Sequence, residues 1–328
     1  MVTVGIVGEG GLVGEKLFSL ANCKLTDKVR LRLFGRSTVG KRRLFGSKWI
    51  TVEDTAELTE GKLDYAIFVA DEETSLRYVP YLAKNGTTCV DNSAAFRLND
   101  DVPLIVPTVN GHVIGDSLII ANPNCVTIPI AMILHALQPL NPTKIVVATY
   151  QSASGGGREG LLDLTLKRKP PHTKCFPLQL YDNILPVVGN ITDDGYTTEE
   201  HKLQNECCKI LAAPQLAVNC FCARVPVTIG HSCFVNVTFA EQFDTVTVKT
   251  LLKNATDILT YEGIEPTPKL TRNTKYVGVG RIVKDKTANA VNMFVVSDNL
   301  LRGAAYNAYE ILTLLLDNRN ASNVCKKR

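Results

Sequence analysis

The chain has 328 residues, a length that fits two ordinary domains better than one. Hydrophobic residues make up 45% and charged residues 21%, and the mean hydropathy is +0.05, which excludes a disordered, collagenous or coiled-coil chain. The 36 basic residues barely outnumber the 32 acidic ones, too small an excess for a nucleic-acid or anionic-membrane footprint, and no apolar run approaches the ~20 residues of a membrane span.

The opening Met1-Val2-Thr3-Val4-Gly5-Ile6-Val7 has neither the charged start nor the cleavage site of a signal peptide and reads as a first strand. A cytoplasmic protein is therefore expected, with its ten cysteines as reduced thiols rather than disulfides. Residues 2–7, 29–34, 65–70, 87–91 and 118–121 are short runs rich in Val, Ile or Leu that end at Gly, Asp or Asn, as buried strands of a parallel sheet do. Helices are predicted over 13–20 and 127–137, giving an α/β texture. Past residue 125 the texture changes. A strand at 144–150, a helix at 159–166, two adjacent strands at 220–227 and 233–240 across a turn at Thr228-Ile229-Gly230, a helix at 246–259 and strands at 277–283 and 291–297 predict a second, α+β domain on a mixed sheet. A closing helix over 299–316 and a polar, basic tail over 318–328 complete the reading.

Gly8-Glu9-Gly10-Gly11-Leu12-Val13-Gly14 follows the first strand directly and opens the first helix. Glycines there let the backbone turn sharply and approach a pyrophosphate, whose charge meets the free N–H groups of the helix start. The spacing is G-x-x-G-x-x-G rather than the strict dinucleotide fingerprint, and such turns also occur for packing alone. Its position predicts a Rossmann-like dinucleotide-binding domain over residues 1–125, completed by a C-terminal helix over 299–328, with 126–298 as the second domain. An NAD site places an acid at the end of the second strand; here that stretch reads Gly35-Arg36-Ser37-Thr38-Val39-Gly40-Lys41, with no carboxylate to compete. Arg36, Ser37 and Lys41 suit a 2′-phosphate, so NADP is the expected cofactor; the alternative is a solvated basic turn.

Asn122-Pro123-Asn124-Cys125 stands between a strand and a helix. A cysteine there has its thiolate favoured by the helix dipole, which makes a nucleophile. Arg224 and His231 stand at opposite ends of a strand-turn segment: the first offers a planar fork for a carboxylate, the second a proton near neutral pH. His231 alone reads equally as a structural histidine. Ser154-Gly155-Gly156-Gly157, close after Gln151, suggests a loop opening another helix. The pairs Cys207-Cys208 and Cys220-x-Cys222 lack the spacing of a zinc site, and no metal is expected.

Together these motifs resemble the aspartate-semialdehyde dehydrogenase family. The resemblance runs in order through the glycine loop, Arg36-Ser37-x-x-Gly40-Lys41, Asp91-Asn92-Ser93-Ala94-Ala95-Phe96-Arg97, residues 122–125, residues 151–157, Asn205-Glu206-x-x-Lys209-Ile210-Leu211, residues 224–232 and Ser297-Asp298-Asn299-Leu300, nearly the whole chain. It implies reduction of L-aspartyl 4-phosphate by NADPH to L-aspartate 4-semialdehyde and phosphate, on the route to lysine and diaminopimelate, threonine and methionine. Cys125 matches the nucleophile that carries the acyl group, Gln151 the residue that orients it and His231 the acid/base partner. Arg224 matches the α-carboxylate ligand, Glu206 the α-ammonium ligand, and Arg97, Asn124 and Lys209 the phosphate ligands. The resemblance further implies that Gly8, Gly10, Gly11, Leu12, Val13, Arg36, Ser37, Lys41, Ser154, Gly155 and Asn299 hold the cofactor, and that the second domain's sheet builds a homodimer or a homotetramer. Three positions depart from the family pattern: Asp71-Glu72-Glu73 at a cofactor-facing turn where small residues are usual, Cys233 where Glu or Gln is common, and Glu310 in place of Gln. An N-acetyl-glutamyl-phosphate reductase would carry Gly before the cysteine and leave Glu206 no ammonium to pair with. A catalytically retired homologue would have lost Cys125, His231 or Arg224.

Overall fold

The computed structural model describes residues 1–325, with side chains through Arg319; the end of the expected tail, 326–328, lies outside the described residues. The chain divides into two compact units, Met1–Pro123 with the chain from Ala304 on, and Asn124–Gly303. Cys125 and residues 299–303 thus belong to the second unit.

In the first unit β1 (Val2–Val7), α1 (Leu12–Lys24), β2 (Val29–Gly35), β3 (Arg42–Phe45), β4 (Lys48–Asp54), β5 (Tyr65–Phe68), α2 (Glu72–Lys84), β6 (Thr88–Asp91), α3 (Pro107–Asn110) and β7 (Ile119–Ala121) precede the closing helix Tyr306–Cys325. The sheet order is β3-β4-β2-β1-β5-β6-β7, parallel throughout except for the antiparallel β3–β4 hairpin. Its core joins Val4, Ile6, Leu33, Ile67, Val90 and Ile120 of the strands to Leu17 and Phe18 of α1 and to Ile311 and Leu312 of the closing helix. Each such side chain contributes about 1.5–3 kcal/mol on leaving water. The β3–β4 hairpin was not expected from the sequence: Arg42, Arg43, Lys48, Glu53 and Asp54 leave it without apolar alternation, as suits an edge ribbon.

A helix, not a turn, begins at residues 71–73. Asp71 is the N-cap of α2, its Oδ1 accepting the Thr74 N–H at 2.9 Å, and Glu72 and Glu73 sit in the first turn where the helix dipole favours acids. The family departure at these positions thus has a local structural reason.

The second unit holds α4 (Thr127–Ala136), β8 (Pro142–Gln151), α5 (Gly157–Thr165), α6 (Thr198–Ile210), β9 (Ala217–Arg224), β10 (His231–Phe239), α7 (Thr245–Asn254), β11 (Ile258–Thr260), α8 (Pro268–Thr271), β12 (Val277–Lys284) and β13 (Ala290–Ser297). They form a mixed sheet in the order β11-β12-β13-β10-β8-β9. The strands expected to pair across Thr228-Ile229-Gly230 instead flank β8, β9 running parallel to it and β10 antiparallel. After Arg224 the chain stays beside the end of β8, with Val225 N–H donating to Gln151 O at 2.9 Å and Ala153 N–H to Val227 O at 2.7 Å, so no tight hairpin forms. Likewise the helix expected over 246–259 stops at Asn254: Asp257 takes φ +60°, and Ile258–Thr260 becomes an edge strand parallel to β12. The helix expected from residue 299 starts later, since Asp298 Oδ1 accepts the N–H groups of Leu300 and Leu301 (both 2.9 Å) and a π-helical turn over Leu301–Ala305 intervenes. Asn299 therefore lies in a turn.

One sheet face is covered by α4, whose residues 127–134 are all buried. On the other face the strand register sets Phe221, Ala148, Phe234 and Phe294 in a row across β9, β8, β10 and β13, and Tyr150 and Phe294 bring their rings to 6.2 Å. Phe221 is 60% exposed.

Candidate active site

The turn that carries Cys125 is built at the start of α4. Asn124 Oδ1 accepts the Val126 N–H at 2.8 Å and Asn124 O the Ile128 N–H at 3.1 Å, so Cys125 stands two residues before the helix proper, half-buried. Gly303 closes against it: a methyl group at 303 would stand 2.8 Å from Cys125 O and 3.0 Å from Cys125 Cβ. No sequence motif marks that glycine.

Helix α6 carries three acids with distinct partners. Thr197 and Glu200 form a capping box, Thr197 N–H donating to Glu200 Oε2 at 2.7 Å and Glu200 N–H to Thr197 Oγ1 at 3.3 Å, while Glu200 Oε1 accepts the Cys222 N–H of β9 at 2.8 Å. Glu206 Oε2 accepts the Asn124 N–H at 2.7 Å. Glu199, two turns earlier on the same face, accepts from Asn124 Nδ2 at 2.9 Å and from Gln151 Nε2 at 3.3 Å, with Lys202 Nζ at 3.6 Å. Sequence reasoning passed over Glu199; the signal was present in the Thr197-x-x-Glu200 capping pattern, which fixes the helix start and puts 199 and 206 on one stripe. Lys209 stands half-buried on α6, three residues past Glu206.

Gln151, Arg224 and His231 meet at the ends of β8, β9 and β10. The Arg224 guanidinium, 8% exposed, donates from one terminal nitrogen to Ser152 O at 2.9 Å and toward Gln151 Oε1 at 3.4 Å, and lies 5.6 Å from the Phe176 ring centre. Burial lowers its pKa, and the negative charges of Glu199 and Cys125 oppose that shift. Gly155 is the clearance for this side chain, because any Cβ there would collide with the guanidinium. His231, 2% exposed, accepts the Ser152 N–H at Nδ1 (3.0 Å), with Ser152 Oγ at 3.1 Å from the same nitrogen. A backbone N–H can only donate, so the neutral ring carries its proton on Nε2, which is buried without a hydrogen-bond partner among the described residues. Burial first, and the Arg224 charge second, hold the His231 pKa well below 6.5.

That shift has a measurable consequence. The unfolded chain binds a proton on this histidine below about pH 6.5 and the folded chain does not, so stability falls as the pH drops through that value. Between pH 7 and 5.5 the wild type is expected to lose about 1 kcal/mol more unfolding free energy in urea titrations than His231→Gln, whose amide oxygen can still accept from Ser152 N–H. Equal losses would show that His231 takes up its proton in the folded chain.

Asn299 ties this loop region together: its Oδ1 accepts the Gly230 N–H at 2.9 Å and lies 3.1 Å from the hydroxyls of both Ser152 and Ser154. The polar atoms of Ser154 and Asn299, expected at the cofactor, are thus engaged with their own loop, and Gly155 is engaged with Arg224. Cys233 is buried on β10, opposite Thr149 and Val295, its thiol pushed up by burial and by Cys222 and Cys125. Glu310 is half-buried on the closing helix.

The remaining predicted residues belong to the first unit. Arg97 is 7% exposed and donates to Asn122 O at 3.0 Å and Asn92 O at 2.6 Å. Gly8 has φ +89°, and a Cβ there would stand 2.7 Å from Val69 O; Gly11 is the N-cap of α1 with no side-chain cap, and Leu12 and Val13 are its first helical residues. Gly10 leaves room for Thr38, whose methyl would be 2.8 Å from a Cβ. This uncapped, side-chain-free helix start fits a pyrophosphate. Arg36, Ser37 and Lys41 are exposed past β2. One expectation about them needs correction: a carboxylate does compete, since Arg36 is ion-paired with Asp71 Oδ2. The sequence around β2 hides this partner because the parallel order β2-β1-β5 brings in the segment after β5.

Comparison with known proteins assigns the class first. The NAD-binding domain profile of the semialdehyde dehydrogenases matches residues 3–117, and their dimerisation-domain profile matches residues 134–302. The aspartate-semialdehyde dehydrogenase of Streptomyces akiyoshiensis is 36% identical over 339 residues, covering 95% of this chain and 98% of that protein, and the one from Rickettsia bellii is 32% identical over 95% and 97%. The crystal structure of aspartate semialdehyde dehydrogenase II from Vibrio cholerae, complexed with ASA, superposes with a TM-score of 0.92 at 32% identity, covering 97% of this chain and 98% of that one. The chain belongs to the aspartate-semialdehyde dehydrogenase family and is an oxidoreductase with a Rossmann-like NAD(P)-binding domain.

Proposed function

We propose that the chain interconverts L-aspartyl 4-phosphate and L-aspartate 4-semialdehyde plus phosphate, with NADP(H), through a thioester on Cys125. The supporting observation is the gathering of Gln151, Arg224 and neutral His231 in one buried cluster of the second unit, the unit that also carries Cys125. Cys125 attacks the acyl carbon and phosphate leaves with the bonding electron pair. Arg224 grips the α-carboxylate, Glu206 answers the α-ammonium, and Lys209, Asn124 and Arg97 hold phosphate. Gln151 orients the acyl group. His231, carrying its proton on Nε2, hydrogen-bonds the oxygen that gains charge at the acyl carbon and keeps that proton as the aldehyde C=O re-forms and the C–S electron pair leaves on Cys125 as thiolate. When bound, NADPH supplies the hydride. Gly8, Gly10, Gly11, Leu12 and Val13 would hold its pyrophosphate, Arg36, Ser37 and Lys41 its 2′-phosphate, and Ser154, Gly155 and Asn299 complete the proposed cofactor residues.

The dimerisation-domain match and the aromatic row of the open sheet face support a homodimer built on that face. No described helix is long and apolar enough to cross a membrane. We propose a cytoplasmic enzyme whose product feeds lysine, diaminopimelate, threonine and methionine synthesis.

The test is phosphate-dependent reduction of NADP, and of NAD, by aspartate semialdehyde. A charge-assisted bond to the 2′-phosphate is worth ~1.5–3 kcal/mol, and breaking the exposed Arg36–Asp71 pair costs ~0.2–1 kcal/mol. Arg36→Ala should therefore raise KM for NADP about tenfold and leave the reaction with NAD unchanged. Equal losses with both cofactors would remove Arg36 from the 2′-phosphate; no turnover by the wild type would overturn the proposed reaction.

A further inference from the structure

We infer that Glu199 is the positioning residue of the reaction proposed above: it dictates which way the Gln151 carboxamide points. A carboxylate can only accept and a guanidinium can only donate. Gln151 lies between one of each, with Nε2 3.3 Å from Glu199 Oε1 and Oε1 3.4 Å from an Arg224 terminal nitrogen. Only one orientation of the amide satisfies both. Without Glu199, the Nε2 group is left with Thr149 Oγ1 at 3.5 Å. The same Glu199 oxygen accepts from Asn124 Nδ2 at 2.9 Å, which leaves Asn124 Oδ1 to accept the Val126 N–H at 2.8 Å. One carboxylate thus orients the side chain preceding Cys125 and the side chain assigned to the acyl group.

The charge matters as well as the geometry. Glu199 is a largely buried carboxylate, its side chain 12% exposed, so its hydrogen bonds to Gln151 and Asn124 form with little competition from water. Glu200, its neighbour, is spent on the capping box and on Cys222, and Glu206 accepts from the Asn124 backbone, so neither replaces it.

Glu199→Gln keeps the length but no longer dictates either partner's orientation. Hydrogen bonds to charged groups are worth ~1.5–3 kcal/mol, so kcat should fall about tenfold to a hundredfold while KM for NADP holds. The decisive readout is coupling: in a Gln151→Ala background the same change should cost clearly less, because the carboxamide it orients is gone and only the Asn124 contact remains. A merely structural Glu199 would subtract its cost in both backgrounds. Glu199→Asp keeps the charge at the helix start, guarding against misfolding, and withdraws the oxygen by one bond; it should show the same kcat loss and the same coupling. Full activity in Glu199→Asp, or additive losses with Gln151→Ala, would overturn the inference while leaving the proposed reaction standing. A wild type without turnover overturns both.

Discussion

Cys125→Ala is expected to lower kcat by at least about a thousandfold while binding of NADP, followed by fluorescence titration, persists. The separation follows from where the residues lie. Cys125 belongs to the second unit, at the start of α4, and the glycine loop belongs to the first. Cys125→Ser should be almost as damaged, because a hydroxyl at neutral pH is a far weaker nucleophile than a thiol at a helix start. Because Ala and Ser both fit beside Gly303, neither substitution should disturb folding. Near-normal turnover in either variant would remove the thioester from the mechanism.

Arg224→Lys keeps the charge and should still lose on the order of a hundredfold in kcat/KM, as expected when two charged hydrogen bonds of ~1.5–3 kcal/mol weaken together. The guanidinium occupies a slot cleared by Gly155, bonded to Ser152 O and lying over Phe176. An ammonium offers no fork, cannot stack, and in that slot must choose between the loop carbonyl and a substrate carboxylate. Steady-state kinetics with aspartate semialdehyde decide the matter. Wild-type values would reassign the carboxylate pocket.

How much of this was legible in the sequence depended on whether a residue's partner lay near it in the chain. The strands around Val4, Leu33 and Ile67 announce themselves because apolar residues dominate them, all four positions of Tyr65–Phe68 being buried, even though Arg30 and Arg32 interrupt the strand of Leu33. Cys125 is legible because a helix start is a local feature. The β3–β4 hairpin is not, since an edge ribbon of arginines and lysines has no alternation to read. Arg36 looks free until the parallel order of the sheet brings Asp71 beside it. Glu199 and Glu206 looked alike as acids, and only their different hydrogen bonds, one to a side-chain amide and one to a backbone N–H, separate them. Gly303 carries no sequence signal, and Gly155 reads only as one of a run of loop glycines, because what they avoid, Cys125 and the Arg224 guanidinium, lies far away in the chain.

The capping box of α6 carries a further consequence, for motion. Glu200 holds both its own helix start and the Cys222 amide of β9, the strand that ends in Arg224, while one turn and a half later Glu206 holds the Asn124 amide. Fraying of the first turns of this helix therefore releases the arginine strand and the nucleophile turn in a single opening event, rather than one after the other. The second unit should lose its catalytic arrangement through such partial openings at temperatures where its sheet is still intact, so heat inactivation should run ahead of global melting.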